Sequence, residues 1–189
     1  MRYFFLFLFF TGIYQISLGQ TVEVNLNSST IDSSIYNFKF YNTKGEIVTL
    51  NKYKGKVLFV DFWFTGCSAC LGYFNEILEP VQKYYKGKGD VVFVSVSIDN
   101  DNLKWLETIN KGYAINKRGD RLRQTEKDGI NLRCINWINS PIIKYFNIKS
   151  YPRPMLFDRN GHLFNHSKKN LRLDGVDSVV TYIELAKQK

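Results

Sequence analysis

Two long apolar segments with a helical pattern between them constrain this fold more than any other feature of the sequence. Residues 57–64 and 91–98 are apolar runs with few polar interruptions, as expected for strands buried on both faces of a sheet. Between them, apolar residues in 70–85 recur at spacings of three and four, which predicts a helix with a kink at Pro80. A strand, a helix and a strand in this order predict a right-handed parallel crossover. We therefore expect an α/β domain.

Cys67 and Cys70 lie where the first strand meets the helix, with two residues between them. The first backbone N–H groups of a helix lack intrahelical partners and carry the positive end of the helix dipole. A thiolate at Cys67 is stabilised there, and such motifs lower a cysteine pKa from about 8.5 to roughly 3.5–7.5. The second thiol follows within one turn, close enough to form a disulfide. The pair has the layout of a dithiol that exchanges electrons with other thiols.

The first 19 residues have the form of a signal peptide, with a basic start at Arg2, an apolar stretch over 3–10 and small residues at 17–19. The alternative is an uncleaved membrane anchor. Polar and small residues interrupt the stretch, however, and it falls short of the ~20 apolar residues that a span needs. We therefore expect an exported, periplasmic protein. Residues 20–35 are predicted to be a flexible lead-in and residues 36–189 the one folded domain.

The chain is basic, with 26 Lys and Arg against 17 Asp and Glu and a net charge of +9. The densest basic stretch, residues 117–127, is interrupted by Asp120 and Glu126. Charge spread in this way is typical of a solvated surface, so we expect no nucleic-acid partner.

The remaining segments each have a local signal. The pattern predicts a hairpin (38–40 with 46–49), a helix capped by residues 99–101, an exposed insertion (112–131), a short helix from Ser140, a strand (155–157), a turn (158–161) with a returning strand (162–164), and a closing helix (177–187).

In this order the pieces resemble the thioredoxin-like superfamily, and most closely its exported thiol–disulfide oxidoreductases of the TlpA/ResA type. The resemblance runs from about Tyr36 to the C-terminus. It rests on residues 50–56, on Asp61-Phe62-Trp63 followed by the Cys67–Cys70 motif, on 91–99, and on 145–152 followed by 156–158. The implied fold is a thioredoxin-like central mixed β-sheet flanked by helices, with an N-terminal β-hairpin extension.

The resemblance also implies roles for four catalytic residues. Cys67 would be the attacking thiolate and Cys70 the resolving thiol, and the two would form the redox-active disulfide. Pro152 would follow a cis peptide bond and face the sulfurs. Asp61 matches the buried acid of thioredoxins. Burial raises a carboxyl pKa, so Asp61 could take a proton from Cys70 through water. The alternative for Asp61 is an acid bonded to local backbone.

Substrate contacts follow from the same resemblance. The backbone of Tyr151 would pair with an extended substrate, and Trp63, Gly66 and Arg153 would line the site. Gly66 stands where thioredoxins usually carry Trp, and Arg153 where a small residue often follows the proline. Further departures are Ala69 in place of Pro, and Tyr73 and Asn75 in place of the family's Glu and Pro.

The resemblance implies an enzyme without a cofactor that acts on protein disulfides or dithiols as a reductant. Its other partner would be an upstream membrane electron donor, and the chain would be a monomer. Two other functions stay open, a thiol peroxidase (AhpC/TSA-like) and a redox-inactive binding module. The peroxidase is disfavoured because Phe64 and Val60 stand where that chemistry requires Thr and Pro.

The two histidines and the third cysteine are predicted to have no catalytic or metal-binding role. His162 and His166 are the only histidines, and their distance from the CxxC motif does not fit a zinc finger, so we predict no metal site. Cys134, the third cysteine, has largely apolar neighbours and is interpreted as a buried free thiol, with a regulatory disulfide as the alternative.

Overall fold

A six-stranded mixed sheet runs through the computed structural model, which describes residues 34–115, 121–122, 125–164 and 171–189. The strands are β1 (Phe40–Asn42), β2 (Ile47–Val48), β3 (Val57–Trp63), β4 (Val91–Ser97), β5 (Ala114–Ile115), β6 (Arg121–Leu122), β7 (Ile130–Cys134) and β8 (Arg153–Phe157). The helices are α1 (Ser68–Tyr73), α2 (Glu79–Tyr85), α3 (Asn102–Lys111), α4 (Pro141–Tyr145) and α5 (Val176–Ala186). The sheet order is β2-β1-β7-β4-β3-β8, and β5 and β6 form a separate pair.

The centre of the sheet is parallel, as the crossover predicts. β3 pairs with β4 from Val57↔Val91 to Trp63↔Ser97, and β7 continues the parallel set beside β4. β8 closes the other side of β3 in the antiparallel sense. All seven residues of β3 are buried, which is the reason its sequence reads as a continuous apolar run.

The predicted N-terminal hairpin is confirmed. β1 and β2 pair antiparallel with Phe40 opposite Val48, and β1 also pairs antiparallel with β7. The hairpin therefore extends the central sheet instead of standing apart from it.

The predicted exposed insertion over residues 112–131 is wrong at its C-terminal end, because β7 begins at Ile130 and lies inside the sheet. Asn131 interrupts the apolar pattern of β7, because a polar amide is not expected at a buried strand position. Its Oδ1 accepts a hydrogen bond from Thr125 Oγ1 at 2.7 Å, and its Nδ2 donates to the Glu126 carbonyl at 2.8 Å. These bonds satisfy the amide and allow its burial. The predicted returning strand over residues 162–164 is also shorter than expected, a single bridge between Phe157 and Leu163.

The predicted helix after β3 forms, but its kink is a π-helical turn, Phe74–Leu78, between α1 and α2. In that turn the Glu79 N–H donates to the Phe74 carbonyl five residues earlier. Pro80 has no N–H to continue an ordinary ladder, which accounts for a break at this place. The Asn75 side chain donates to the Leu71 carbonyl at 2.7 Å and so caps a carbonyl within the segment.

Successive residues of β3 point to opposite faces of the sheet and contribute to two cores. Leu58, Val60 and Phe62 belong to the core that also contains Ile35 and Tyr36, whereas Val57 and Phe59 pack beneath α2 and α5. A third, smaller cluster stands at the C-terminal end of β3 and includes both cysteines of the motif.

The described part of the chain begins at Ser34, and its first residues are already packed. The Ile35 N–H donates to the Gly161 carbonyl at 2.8 Å, and the Ile35 side chain is fully buried. Ser34 and Ile35, which precede the predicted boundary at Tyr36, are therefore packed with the folded domain. The predicted signal peptide, residues 20–33 of the lead-in, most of the basic stretch 117–127 and His166 lie outside the described residues. Within the described ranges, no helix has the length and apolarity needed to cross a membrane.

Candidate active site

The two cysteines of the motif meet at the start of the helix that follows β3. Cys67 is the N-cap of α1 with an extended backbone, and its Sγ accepts a hydrogen bond from the Cys70 N–H at 3.1 Å. The two residues form a disulfide and are 5% and 1% exposed. When the disulfide is reduced, the N–H groups that surround Cys67 favour its ionised form, because they and the helix dipole stabilise negative charge. The side of Cys67 that remains accessible is small, so a partner must approach it closely.

The loop between β3 and α1 is held by a carboxylate that follows β4 in the chain. The Thr65 N–H lies 3.1 Å from both oxygens of Asp99, and Thr65 Oγ1 donates to Asp99 Oδ2 at 2.9 Å. Ser97 Oγ donates to the same Oδ2 at 2.7 Å. Hydrogen bonds to a charged acceptor are stronger than neutral ones. Asp99 therefore positions the segment that leads directly into Cys67, a role that the sequence did not reveal.

Tyr151, the residue before Pro152, packs beside the disulfide. The peptide bond between them is cis, as the resemblance implies, and Pro152 is buried. Tyr151 packs against the cluster formed by Trp63, Cys67, Cys70 and Trp105. Its ring meets the exposed ring of Phe64 edge-on, with centroids 5.8 Å apart. The fold thus brings together two segments that are about eighty residues apart in the sequence.

The other residues expected to contact substrate occupy different settings. Gly66 is exposed with a φ of +86°, a conformation that favours glycine, although a Cβ there would meet no atom within 4 Å. Its backbone therefore explains why a large side chain is absent. Arg153 is half-buried at the start of β8, opposite Phe62. Trp63 is 1% exposed, so it supports the disulfide from beneath.

Asp61 is buried in β3, with 4% of its surface exposed. Within the described residues its Oδ1 has no hydrogen-bond partner. Removal from water raises the pKa of this carboxyl from 3.8 to about 8, because burial disfavours the charged form. A carboxyl with a pKa in this range can accept and release a proton near neutral pH.

The remaining sequence candidates lie away from the sulfurs. His162 follows β8 at the end where Phe157 pairs with Leu58, opposite the end that carries Cys67. In the ranges that the structure describes, no group of three or more His, Cys, Asp or Glu side chains could hold a metal ion. Cys134 is a free thiol with no exposed surface, and burial raises its pKa to about 12. Such a thiol is inert in the folded chain.

Comparisons with known proteins agree with this geometry. A family model described as thioredoxin-like matches residues 55–163, more than half of the chain. The thiol-disulfide oxidoreductase ResA of Geobacillus kaustophilus (strain HTA426) is 24% identical over 154 residues, which cover 78% of this chain and 76% of that protein.

Solved structures extend the likeness to the fold. A candidate thiol-disulfide oxidoreductase from Bacteroides vulgatus is 25% identical, with a TM-score of 0.59 over 80% of this chain and 88% of its own. The thiol-disulfide oxidoreductase from Bacteroides fragilis NCTC 9343 is 18% identical, with a TM-score of 0.59 over 80% of this chain and 98% of its own. At that identity the likeness shows a shared fold.

Proposed function

Because the chain belongs to the thioredoxin-like family and is an oxidoreductase of thiols and disulfides, we propose that it reduces disulfides in exported proteins through Cys67 and Cys70. The observation that carries the proposal is the disulfide itself. It sits at the first turn of the helix after β3 and packs against Tyr151, next to Pro152. A helix N-terminus lowers the pKa of a cysteine and so favours the reactive thiolate.

The reaction proceeds in two exchanges. The Cys67 thiolate attacks one sulfur of the substrate disulfide, forms a mixed disulfide and expels the other substrate sulfur as a thiolate, which takes up a proton. The Cys70 thiolate then attacks Cys67 Sγ, forms the Cys67–Cys70 disulfide and releases the second substrate thiolate. Two electrons pass from the dithiol to the substrate. Cys70 must lose its proton in the second exchange, and Asp61 is the proposed base because its pKa lies near 8.

Substrate binding is proposed to use main-chain groups beside Pro152. An extended peptide that pairs with these backbone groups gains affinity without a fixed sequence, so many proteins could serve as substrates. At Tyr151 the peptide would replace Arg172, whose Nη1 donates to the Tyr151 carbonyl at 3.5 Å. Tyr151, Gly66 and Arg153 would border this peptide, and Trp63 would back the sulfur pair from the core. The exposed Phe64 ring beside Tyr151 adds apolar surface where the partner would approach.

The direction of electron flow, the compartment and the electron donor rest on the family resemblance. We propose a periplasmic reductant that is recharged by a membrane protein and acts as a monomer. The midpoint potential tests the direction, because a value near −270 mV is typical of reductants and a value near −120 mV of a strong oxidant. A potential at the oxidising end would reverse the proposed direction.

Cysteine variants test the mechanism in an insulin-reduction assay with dithiothreitol. Cys67→Ser should abolish turnover, whereas Cys70→Ser should retain attack and accumulate mixed disulfides with substrate, visible by mass spectrometry. Cys134→Ala is the matched control, and it should keep full activity because Cys134 is enclosed in the core. Full activity in both Cys67→Ser and Cys70→Ser would contradict the mechanism.

A further inference from the structure

Three buried oxygen atoms near α1 have no hydrogen-bond partner within the described part of the chain. They are Asp61 Oδ1, Tyr73 Oη and Asp174 Oδ2. An unsatisfied buried polar atom costs about 1–3 kcal/mol, so three of them in one neighbourhood call for an explanation. None of the hydrogen bonds described above for the site involves these atoms.

The side chains of Asp61 and Tyr73 lie on the same face of the sheet. Val57 and Phe59 point to the face where Tyr73 packs, and by alternation Asp61 points there too. Trp63, two residues further on, packs against Cys67 and Cys70. Asp61 therefore lies on the sheet face that carries both Tyr73 and Trp63, the residue that packs against the disulfide. Tyr73 itself follows Cys70 by three residues, which places the two side chains on neighbouring positions of one helix face.

Asp174 extends this line to the surface. It follows the short 3-10 helix Leu171–Leu173 and, together with Tyr73, lines a cavity of about 360 Å³. The cavity also contains Glu76 from the π-helical turn and Arg172, and it borders Ala69 of the motif. Asp174 is half-buried, unlike the fully enclosed Asp61. A polar cavity of this size can hold water between the groups that line it.

The negative charges of both carboxyl groups act on the phenol of Tyr73. Burial, Asp61 and Asp174 together raise the pKa of Tyr73 well above its usual value, so it remains an O–H at neutral pH. A neutral phenol can accept a proton on its oxygen while it donates its own. Such a group can connect two carboxylates.

We propose that Tyr73 relays protons between Asp61 and Asp174, and that this route links the base of Cys70 to solvent. This inference rests on the proposed function and deepens it. Cys70 gives its proton to the Asp61 carboxylate and attacks Cys67 Sγ as a thiolate. Protonated Asp61 then releases a proton toward Tyr73 Oη, directly or through water. Tyr73 gives up its own hydroxyl proton to the Asp174 carboxylate, which returns it to solvent. Tyr73 acts through Asp61 and is therefore a positioning residue.

Tyr73→Phe tests the relay because it removes only the hydroxyl. The resolving step is followed in a single turnover. A mixed disulfide on Cys67 is formed at acid pH, where Cys70 stays protonated, and is then brought by stopped flow to a pH between 6 and 8.5, in H₂O and in D₂O. We expect the variant to resolve the mixed disulfide at least tenfold more slowly, with a shifted pH midpoint and a changed solvent isotope effect. The alkylation rate of Cys67 should stay the same, since that thiolate does not depend on the route.

Tyr85→Phe is the matched control. Tyr85 is a buried tyrosine of the same helical segment, but its hydroxyl donates to Glu184 Oε1 at 2.7 Å, in the contact with α5. This variant should lose some stability and keep the wild-type resolving rate and pH profile. Asp174→Asn, at a half-buried position, gives a second test that does not disturb the core, and it should also slow resolution.

The outcomes separate the two proposals. If Tyr73→Phe and Asp174→Asn both resolve at the wild-type rate across the pH range, the relay is wrong and the exchange mechanism stands. If slowing in Tyr73→Phe is matched by Tyr85→Phe, the effect is structural and the relay is wrong as well. If the reduced wild-type chain reduces no protein disulfide, the proposed function fails first.

Discussion

Burial of the Asp61 carboxyl makes the stability of the folded chain depend on pH. Its pKa of about 8 in the folded state compares with an ordinary value of 3.8, and burial is the cause. Between these two pH values Asp61 holds a proton in the folded chain and not in the unfolded chain. The contribution of Asp61 to the free energy of unfolding therefore falls as the pH rises from about 4 to about 8. A residue suited to proton transfer thus costs stability at neutral pH.

Asp61→Asn should remove this dependence, because the amide does not titrate. We expect the variant to be more stable than the wild type at pH 8. The difference in unfolding free energy should grow with pH between 5 and 8 by at most about 1.4 kcal/mol per pH unit. Urea unfolding of both oxidised proteins at three pH values measures it. Other titrating groups are shared and cancel in the subtraction. A difference that does not change with pH would show that Asp61 titrates normally.

At the scale of elements, the loop between β3 and α1 depends on the end of β4. Asp99 receives hydrogen bonds from the Thr65 N–H, from Thr65 Oγ1 and from Ser97 Oγ. Thr65 Oγ1 also lies 3.1 Å from Thr108 Oγ1 of α3. A strand, a loop and a helix are therefore joined two residues before Cys67. This junction therefore holds the segment that leads into the reactive sulfur.

Asp99→Asn should disturb the junction, since one carboxylate oxygen becomes an NH₂ group that cannot accept these hydrogen bonds. We expect a loss of about 1.5–3 kcal/mol in unfolding free energy and a slower alkylation of Cys67 in the reduced protein. Asp101→Asn is the control. Asp101 caps α3 through the N–H groups of Leu103 and Lys104, and asparagine caps helices about equally well. Equal effects of the two substitutions would argue against a special role for Asp99.

At the scale of the whole molecule, the first described residues are fastened to the turn after β8. Ser34 Oγ donates to the Asn160 carbonyl at 3.2 Å, and the Ile35 N–H donates to Gly161. Gly161 has a φ of +80°, and a Cβ there would stand 2.5 Å from the Tyr36 ring. The contact joins residues 126 positions apart in the chain. It makes the N-terminal segment part of the core that covers one face of the sheet.

Gly161→Ala should therefore destabilise the protein more than the same change at Gly45. Both glycines have a φ of +80°, but a Cβ at Gly45 would meet no atom within 4 Å. We expect Gly45→Ala to cost about 1–2 kcal/mol from backbone strain alone, and Gly161→Ala to cost about 1–3 kcal/mol more from overlap with Tyr36. Denaturant unfolding of the three proteins measures both terms. Equal losses would mean that the Tyr36 ring moves aside at little cost.

Sequence reasoning recovered the parts of this fold that depend on local pattern. The runs that became β3 and β4, the cap at Asp101 and the hairpin β1–β2 all carry their signal within a few residues. β7 was missed because Asn131 breaks its apolar pattern, and only its hydrogen bonds explain its burial. Hydrogen bonds between residues far apart in the chain, such as the one from Thr65 to Asp99 34 residues later, leave no periodic signal in the sequence.

Local sequence pattern likewise predicts one part of the candidate site and misses another. The placement of Cys67 and Cys70 at a helix start follows from a strand pattern, a two-residue spacing and a helix pattern. The setting of Asp61, Tyr73 and Asp174 does not follow from local pattern. Tyr73 and Asp174 line one cavity although they are far apart in the chain, and the charge of Asp61 acts on Tyr73 from the sheet. A tyrosine in a helix pattern reads as core, and only the unsatisfied hydroxyl and the neighbouring carboxyl groups distinguish it from ordinary packing.

The burial of Cys134 limits how many electrons one molecule can transfer. Cys134 cannot form a competing disulfide with Cys67 or Cys70. Because the third thiol is buried and unreactive, the folded chain can donate or accept only one electron pair. Its oxidation state is then a two-valued quantity, which a mass difference of two hydrogens would report molecule by molecule.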